Sequence, residues 1–455
     1  MHRMNASVDV DHRPATEVAR DFLNQWSEGI NMATQAATTN RRSFLLRLME
    51  ARVETDALFR MVRPEAMYDR PIPERHRIVF YVGHLEAFDW NLLSGACGAA
   101  SFRPNLDRLF AFGIDPVGGG LPDDRPQDWP RLQDVKDYRD RVRQGLDRMI
   151  ETAPLPEEGE RSFGQLLNVA IEHRLMHAET LAYMFHQMPF ERKRGAAVRR
   201  VLQGGSFTPE SVRVPAGRAT LGLRRDSHWF GWDNEFEAHT VDVPGFAIDR
   251  YKVTNGQFLQ FLADGGYDHR ALWAAAGWEW KTAREISHPV FWVRRGDAWA
   301  YRSMFDEIPL PSDWPVYVSH AEASAYARWA GKILPTEAQW HRAADGAGEG
   351  QYPASDAWDP APVNACLLGA SDFGVEGLMA NGWEWTSTEF APFPGFRPFV
   401  FYPGYSAQFF DGQHYVLKGG SVRTSPCMLR RNFRNWFQPH YQYVYAGFRC
   451  AGSRG

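Results

Sequence analysis

The chain has 455 residues, of which 44% are hydrophobic, and a formal net charge of −4. This length predicts two domains with buried cores. A general nucleic-acid binder or a binder of anionic membranes carries a surplus of basic residues. The near-neutral charge therefore argues against both classes.

The sequence shows no targeting or disulfide signal. No apolar run reaches the ~18 residues of a membrane span, and the first residues lack the apolar stretch of a signal peptide. The four cysteines form neither a CxxC zinc pattern nor a disulfide framework; they are Cys97, Cys366, Cys427 and Cys450. We therefore expect a cytoplasmic enzyme that binds neither nucleic acid nor membranes.

The first half of the chain has the pattern of a helical bundle. Apolar residues recur at helical spacing, with few helix breakers, in five stretches: 14–35, 41–63, 84–97, 131–152 and 162–187. A turn-rich segment at 113–130 interrupts them, and we expect it to form a loop that covers a site. We place the helical domain at residues 1–195 and a linker at 196–213.

Two histidines in the last helical stretch are candidate metal ligands. His173 and His177 are four residues apart, so they share one helix face with Cβ atoms about 6 Å apart and could bind one ion. Leu166 and Ala170 extend the same stripe, so the imidazoles point inward. A satisfied pair of core histidines is the alternative. His84, which follows the apolar run 78–82, is the candidate third ligand; as a lone residue it could also be a capping or core histidine.

From about residue 201 the pattern changes. Trp, Gly, Tyr and Pro become dense, and helical periodicity remains at 254–264, 319–331 and 336–345. Short strand-like pieces at 240–243 and 414–417 are separated by long turns. This composition predicts an irregular α+β domain over residues 214–455, whose surface is made by loops.

Six motifs of the second half resemble the formylglycine-generating-enzyme fold, a variant of the C-type-lectin-like architecture. They occur in the order of that family and span 230–235, 253–258, 330–340, 381–386, 417–421 and 446–451. The formylglycine generators use a cysteine pair, for which Cys366, Cys427 and Cys450 offer no equivalent. That subtype is therefore disfavoured.

Motifs in the first half of the chain indicate a more specific family within this resemblance. Gly83-His84 and the run 172–180 resemble the DinB-like domain of the ergothioneine sulfoxide synthase (EgtB)-like superfamily, which includes ovothiol sulfoxide synthases and selenoneine synthases. The resemblance implies an α+β chain in which a DinB-like helical bundle precedes a formylglycine-generating-enzyme-like domain. It also implies a mononuclear non-haem iron enzyme. Such enzymes use O₂ to join a thiol or selenol donor to the imidazole of hercynine, in a four-electron oxidation.

The resemblance also assigns the residues that carry the chemistry. It implies that His84, His173 and His177 bind Fe(II), because three imidazoles leave positions for O₂ and a donor atom. A tyrosine of the second domain supplies a proton in this family. Tyr402 and Tyr405 both lie in the matching region; either could instead be a packed aromatic, and we prefer Tyr405.

Candidate substrate contacts follow from the same alignment. Asn435 and Trp436 match a stretch that holds the betaine, whose trimethylammonium group favours aromatic faces. Phe437 replaces an Asp that binds the donor's amine in some relatives. This substitution disfavours γ-glutamylcysteine and leaves cysteine, another thiol or an uncharged selenosugar.

A carboxylate contact is also expected. Met176 stands where relatives often have a Gln that touches the betaine carboxylate. Arg125, Arg139 or Arg431 could supply a clamp for it, and each could equally be a solvated surface charge.

Other motifs have structural interpretations. Glu179 is expected to be an outer acceptor near the metal or a structural carboxylate, and residues 383–385 a buried core signature. Residues 419–421 should permit a close backbone approach, and residues 233–235 are interpreted as a surface turn rather than a calcium site.

Three alternatives stay open at this point. An ovothiol-type synthase would join cysteine to histidine, a non-catalytic lectin-like binding module would have structural histidines, and a DinB-type thiol transferase would hold zinc. The sequence leaves open the donor, hercynine against histidine, the imidazole carbon that reacts and the oligomeric state.

Overall fold

Five α-helices precede residue 190 in the described part of the chain. The computed structural model describes residues 41–111, 123–152, 159–195, 208–227, 229–349, 357–365 and 369–452. The helices are α1 (Arg41–Met61), α2 (Ile78–Cys97), α3 (Pro104–Leu109), α4 (Leu132–Thr152) and α5 (Phe163–His186). Three predicted helices are confirmed, at 41–63, 131–152 and 162–187, whereas the one predicted at 14–35 lies outside the described residues.

The helix α2 begins earlier than expected. The apolar run 78–82 is its first turn and not a separate segment before it, so His84 lies in the second turn. The run is buried on every side, as befits a helix in the middle of a bundle, and such a helix shows no single apolar face. The six-residue α3 has no counterpart in the periodicity.

A buried ion cluster ties α5 to α2. The guanidinium of Arg174 donates to Glu86 at 3.0 Å and to Asp89 at 2.6 Å, and all three side chains are buried. Removing one partner of such a cluster leaves an uncompensated buried charge and costs about 3–5 kcal/mol. Arg174 directly follows His173, so the cluster also fixes the depth of the histidines against α2.

The second half combines four short helices with small sheets. The helices are α6 (Asn255–Ala263), α7 (Ala275–Ala283), α8 (His320–Trp329) and α9 (Glu337–Ala343). The sequence predicted α6, α8 and α9 and missed α7. The structure gives α6, α8 and α9 reciprocal N-caps from Thr254, Ser319 and Thr336.

Twelve strands form four sheets within the described residues. They are β1 (Ser211–Val214), β2 (Gly217–Leu221), β3 (His239–Val243), β4 (Phe246–Asp249), β5 (Trp292–Arg295), β6 (Ala298–Arg302), β7 (Glu307–Pro309), β8 (Gly382–Glu389), β9 (Tyr415–Gly420), β10 (Asn435–Phe437), β11 (Ala446–Gly447) and β12 (Ala451–Gly452). The orders are β1-β4-β12, β10-β9-β8-β11, β2-β3 and β5-β6-β7. Strand-like pieces expected at 240–243 and 414–417 correspond to β3 and β9.

The sheet β10-β9-β8-β11 carries the motifs closest to the helices. Trp383 and Trp385 on β8 are buried, as expected. On β9, Gly419 has φ 88°, and a Cβ there would lie 2.3 Å from the carbonyl oxygen of Leu378. The close backbone approach expected at 419–421 is therefore confirmed.

The two halves share an interior. Residues Thr39–Gly455 form one compact unit, and apolar side chains of both halves belong to one continuous buried cluster. The strand β1 begins at Ser211, inside the segment expected to be linker, and residues 196–207 of that segment lie outside the described residues. Among the helices of the described ranges, none has the length and apolarity needed to cross a bilayer.

Candidate metal centre

Three imidazoles from α2 and α5 converge on one point. The Nε2 atom of His177 lies 3.2 Å from Nε2 of His84 and 3.2 Å from Nε2 of His173. All three side chains are buried, and their candidate ligand atoms lie within 4.8 Å of one another. The helical spacing of His173 and His177 and the packing of α2 together produce this cluster.

The ring of His84 is oriented by a backbone carbonyl. Its Nδ1 lies 2.7 Å from the carbonyl oxygen of Phe110, which accepts a hydrogen bond, so the proton is on Nδ1 and Nε2 presents its lone pair to the cluster. The ring of Phe80 stacks on the same imidazole at 4.8 Å. Phe88 stacks on His173 at 3.5 Å with an interplanar angle of 13°.

A glycine allows Phe110 to reach this position. A Cβ on Gly83 would lie 2.5 Å from the Phe110 ring, so the ring packs directly on the α2 backbone. The position beside His84 therefore requires the smallest residue for a steric reason.

The cluster is uncharged at neutral pH. Burial lowers the pKa of His84 to about 4 and the pKa values of His173 and His177 well below the usual range. A proton on Nε2 of His177 could form a hydrogen bond with Nε2 of His84 or with Nε2 of His173, but not with both. A cation that accepts lone pairs from all three rings satisfies both contacts.

A shared metal ion fits these distances. Two nitrogens bound at right angles with metal–nitrogen bonds of ~2.1 Å lie ~3.0 Å apart, close to the 3.2 Å observed. A set of three imidazoles without thiolate suits iron, zinc, copper or nickel. The donor set therefore fits a mononuclear centre without fixing the element.

Aromatic residues of the second half face the helix α5, which carries two of the three histidines. The hydroxyl of Tyr405 lies 3.5 Å from Sδ of Met176, the residue before His177. Burial raises the pKa of Tyr405 well above its usual value, so the phenol keeps its proton at neutral pH. Tyr402 lies beside it, with its ring 5.3 Å from Phe88, which stacks on His173.

Residues of β10 lie on both sides of this aromatic group. The ring of Trp436 makes an edge contact with Tyr405 at 5.4 Å and stacks on Phe390 at 4.2 Å. Phe437 stacks instead on Tyr441, at 4.9 Å. The side-chain carbonyl of Asn435 accepts from the backbone N–H of Trp436 at 2.9 Å.

A buried arginine that the sequence analysis did not name stands near His177. Arg75 donates to the hydroxyls of Tyr441 at 2.8 Å and Tyr183 at 3.2 Å, and its charge contributes to the low pKa of His177. No local pattern marks this residue, because its neighbours come from α5 and from the end of the chain.

The arginines expected to form a carboxylate clamp are engaged in ion pairs; Arg125 is exposed, whereas Arg139 and Arg431 are partly buried. Arg125 is 70% exposed and pairs with Asp128, and Arg139 pairs with Asp140. Arg431 also forms ion pairs, with Asp345 and Glu349. These ion pairs account for the three side chains, and we do not assign them to the centre.

Glu179 is a structural carboxylate, one of the two roles expected of it. It accepts hydrogen bonds from the indole of Trp383 at 2.9 Å, from Thr424 at 2.9 Å and from Ser421. The bonds join α5 to the ends of β8 and β9. They hold the second half against the helix that carries two of the three histidines.

The interpretation of residues 233–235 as a surface turn is wrong. Asp233, Asn234 and Glu235 form a buried turn of 3₁₀ helix. Its charges are compensated from distant segments: Arg430 pairs with Glu235 at 2.6 Å, and Ser406 donates to Asp233. A polar sequence can be buried when such partners exist, and they lie too far along the chain for local patterning to reveal.

Family models match both halves of the chain. The model of the Sulfatase-modifying factor enzyme 1-like domain matches residues 198–454, and the model of the DinB superfamily matches residues 47–181. The first match covers more than half of the chain.

Proteins with curated names are similar to this chain over 56% to 77% of their own length. The chain is 36% identical over 343 residues to a protein named hercynine oxygenase from Mycolicibacterium smegmatis, covering 70% of this chain and 77% of that protein. It is 36% identical to the protein of the same name from Mycobacterium tuberculosis, covering 66% and 73%. Ergothioneine biosynthesis protein 1 of Neurospora crassa is 25% identical, over 87% of this chain and 56% of that protein.

The two domain matches and these relatives agree with the expected α+β architecture, in which the helical part comes first. Because these relatives are named as enzymes, the comparisons argue against the alternative of a non-catalytic binding module. The chain therefore belongs to the ergothioneine sulfoxide synthase (EgtB)-like family, and it is an enzyme of the oxidoreductase class.

Proposed function

We propose that this chain uses O₂ and one ferrous ion to form a C–S or C–Se bond between the imidazole of hercynine and a thiol or selenol donor. The reaction would belong to ergothioneine or selenoneine biosynthesis. Hercynine enters the proposal from the names of the relatives, and iron from the resemblance of the motifs. The cytoplasmic location and the domain limits 1–195 and 214–455 stay predictions.

One observation carries the proposal: the convergence of three buried, neutral imidazoles beneath an aromatic group from the second half. His84, His173 and His177 would hold the metal. Bound there, ferrous iron supplies one-electron redox chemistry and coordination positions for O₂ and the chalcogen.

The overall chemistry balances without another reductant. The imidazole loses a C–H hydrogen and the donor loses its S–H or Se–H hydrogen, while a C–S or C–Se bond forms. One oxygen atom of O₂ becomes the chalcogen oxide and the other leaves as water with both hydrogens. O₂ thus accepts four electrons, two for the new bond and two for the oxide.

The chain's own groups would place the reactants and deliver a proton. Tyr405 is the proposed donor, because its phenol is protonated and its hydroxyl lies beside Met176, next to His177. A general acid in this position typically contributes about 10²–10⁴-fold to the rate. Tyr402 is the second candidate, and separate replacements of the two by Phe distinguish them.

The aromatic group also suits the betaine. We assign the trimethylammonium group to the space beside Trp436, with Asn435 on the same strand. A cation on a desolvated aromatic face gains about 0.5–2 kcal/mol. Met176 would touch the substrate from the helix side, whereas Arg125 is left out because it is exposed.

The donor would bind along a wall made by Phe437, Tyr441 and Arg75. The arginine lies 4.8 Å from the ring centre of Tyr441 and 5.9 Å from that of Phe437. Phe437 and Tyr441 offer aromatic faces, and none of the three side chains offers a carboxylate for an ammonium group. The wall therefore disfavours γ-glutamylcysteine bound through its amine.

A product assay tests the proposal. The Fe(II)-loaded chain is incubated aerobically with hercynine or histidine, each against cysteine, γ-glutamylcysteine and a selenosugar, and the products are identified by mass spectrometry. We expect the mass of hercynine plus the donor plus one oxygen, less two hydrogens. Consumption of histidine instead of hercynine would establish the ovothiol-type alternative, and no oxygen-containing adduct with any pair would contradict the proposal.

A further inference from the structure

A closed ring of hydrogen bonds joins the buried 232–235 turn to the metal-binding helix. The backbone N–H of Trp232 donates to Glu235 at 2.9 Å, and Arg430 donates to Glu235 at 2.6 Å. Arg430 also donates to Glu172 at 2.9 Å, and the indole N–H of Trp232 donates to Glu172 at 2.8 Å. Each bond involves a charged partner and lies in the interior, where such bonds are strong and directional.

The ring has His173 on one side and Tyr405 on the other. Glu172 directly precedes His173 on α5. The indole of Trp232 stacks on the Tyr405 ring, with centroids 4.0 Å apart and an interplanar angle of 26°. The same stack leaves the Tyr405 hydroxyl 3.5 Å from Met176. Trp232 is thus bonded to the residue before one histidine and packed on the proposed proton donor.

We propose that Trp232 is a positioning residue that holds Tyr405 at a fixed height above the metal-binding helix. The inference rests on the proposed function, because it gives Tyr405 a task. Glu172 fixes the indole through its N–H, and the indole plane fixes the phenol. A displacement of about 1 Å in a reacting group can lower a rate ~10²-fold, so such a support has a measurable kinetic consequence.

The chain contains a matched control for the loss of a buried indole hydrogen bond. Trp340 is also buried, and its indole N–H donates to a carboxylate oxygen of Glu384 at 3.1 Å. It belongs to a separate apolar cluster that contains neither Tyr405 nor the histidines. Trp340→Phe therefore removes the same kind of bond in a place where only folding depends on it.

The first readout does not require activity. Fluorotyrosine is placed at position 405, and its ¹⁹F NMR signal is recorded in the wild type, Trp232→Phe, Glu172→Gln and Trp340→Phe. Trp232→Phe keeps an aromatic ring but lacks the N–H, and Glu172→Gln keeps the indole but removes the anion that holds it. We expect one narrow resonance in the wild type and Trp340→Phe, and a broadened or split resonance in the other two.

The second readout is kinetic and uses the iron-loaded chains. We expect Trp232→Phe to lower kcat by about tenfold, with KM within about twofold and a larger solvent deuterium isotope effect, because proton delivery becomes slower. Tyr405→Phe sets the lower limit of activity, and Trp340→Phe keeps the wild-type kcat per folded molecule.

The outcomes separate the two proposals. A narrow Tyr405 resonance in Trp232→Phe and Glu172→Gln would overturn the inference, as would a disturbed resonance with unchanged kcat. If the wild-type chain forms no product, the proposed function fails on that result alone, and the fluorine spectra still decide whether Trp232 holds Tyr405.

Discussion

At the scale of single residues, the direction of the Nε2 lone pair of His84 depends on the absence of a side chain at Gly83. Gly83 lets the Phe110 ring pack on α2, and the Phe110 carbonyl accepts the hydrogen bond that turns Nε2 of His84 toward the cluster. An outer contact of this kind typically changes metal affinity by about 10–100-fold.

We therefore predict that Gly83→Ala weakens Fe(II) binding by about tenfold or more, because the new methyl group displaces Phe110. The control is Gly95→Ala on the same helix, where a Cβ meets nothing within 4 Å. Anaerobic competition with a chromogenic chelator measures both affinities. Equal Fe(II) affinity in the two variants would show that Phe110 does not orient His84.

Residue spacing revealed part of this site. His173 and His177 are recognisable because the helix period alone places them on one face. Their third partner, His84, was proposed from its place after the apolar run 78–82 and supported by the motif resemblance, since a residue about 90 positions away has no helical spacing relation to them. The position of Arg75 near His177 could not be predicted from the sequence, because only the packing of the chain brings the two residues together.

At the scale of elements, α5 is held from two sides. Arg174 binds it to α2, and Glu179 binds it to the ends of β8 and β9. The second contact needs the 419–424 segment to turn toward the helix, which Gly419 permits through its positive φ and its approach to Leu378.

We predict that Gly419→Ala lowers the free energy of unfolding by more than the ~1–2 kcal/mol of left-handed strain alone. The matched variant is Gly412→Ala, whose φ of 72° is similar but whose Cβ would meet nothing within 4 Å. The difference between the two isolates the clash with the Leu378 carbonyl. Urea titration followed by tryptophan fluorescence gives both values; equal losses would rule out the close approach as the cause.

Element boundaries followed the apolar pattern in α4 and departed from it at the start of α2. The amphipathic α4 was located to within a residue, because its polar face makes the period visible. The start of α2 was missed because Ile78 to Val82 are buried all round. The turn at 233–235 was misjudged because Arg430 and Ser406 compensate its charges from far along the chain.

At the scale of the whole molecule, the proposed site draws on both halves. The helical half supplies the three imidazoles, and we assign Tyr402, Tyr405 and Trp436 of the second half to the chemistry and the substrate. Glu179 and the Glu172–Arg430 pair bridge the halves with buried, charge-assisted bonds. In the proposed function, the second domain therefore has a task at the centre formed by the helical bundle.

The proposed chemistry depends most on the binding of one ferrous ion by three histidines of this chain. We propose to reconstitute the wild type, His177→Ala and His186→Gln anaerobically with Fe(II), remove free metal and measure iron per folded chain. His186 is the control because it is buried on the same helix but bonds to Tyr445 at 3.1 Å and to the Arg302 carbonyl at 2.7 Å. We predict about one iron per chain in the wild type and His186→Gln, as expected for a single imidazole site, and loss of that iron in folded His177→Ala. A wild type that retains no Fe(II), or a His177→Ala variant that binds it as well as the wild type, would contradict this prediction.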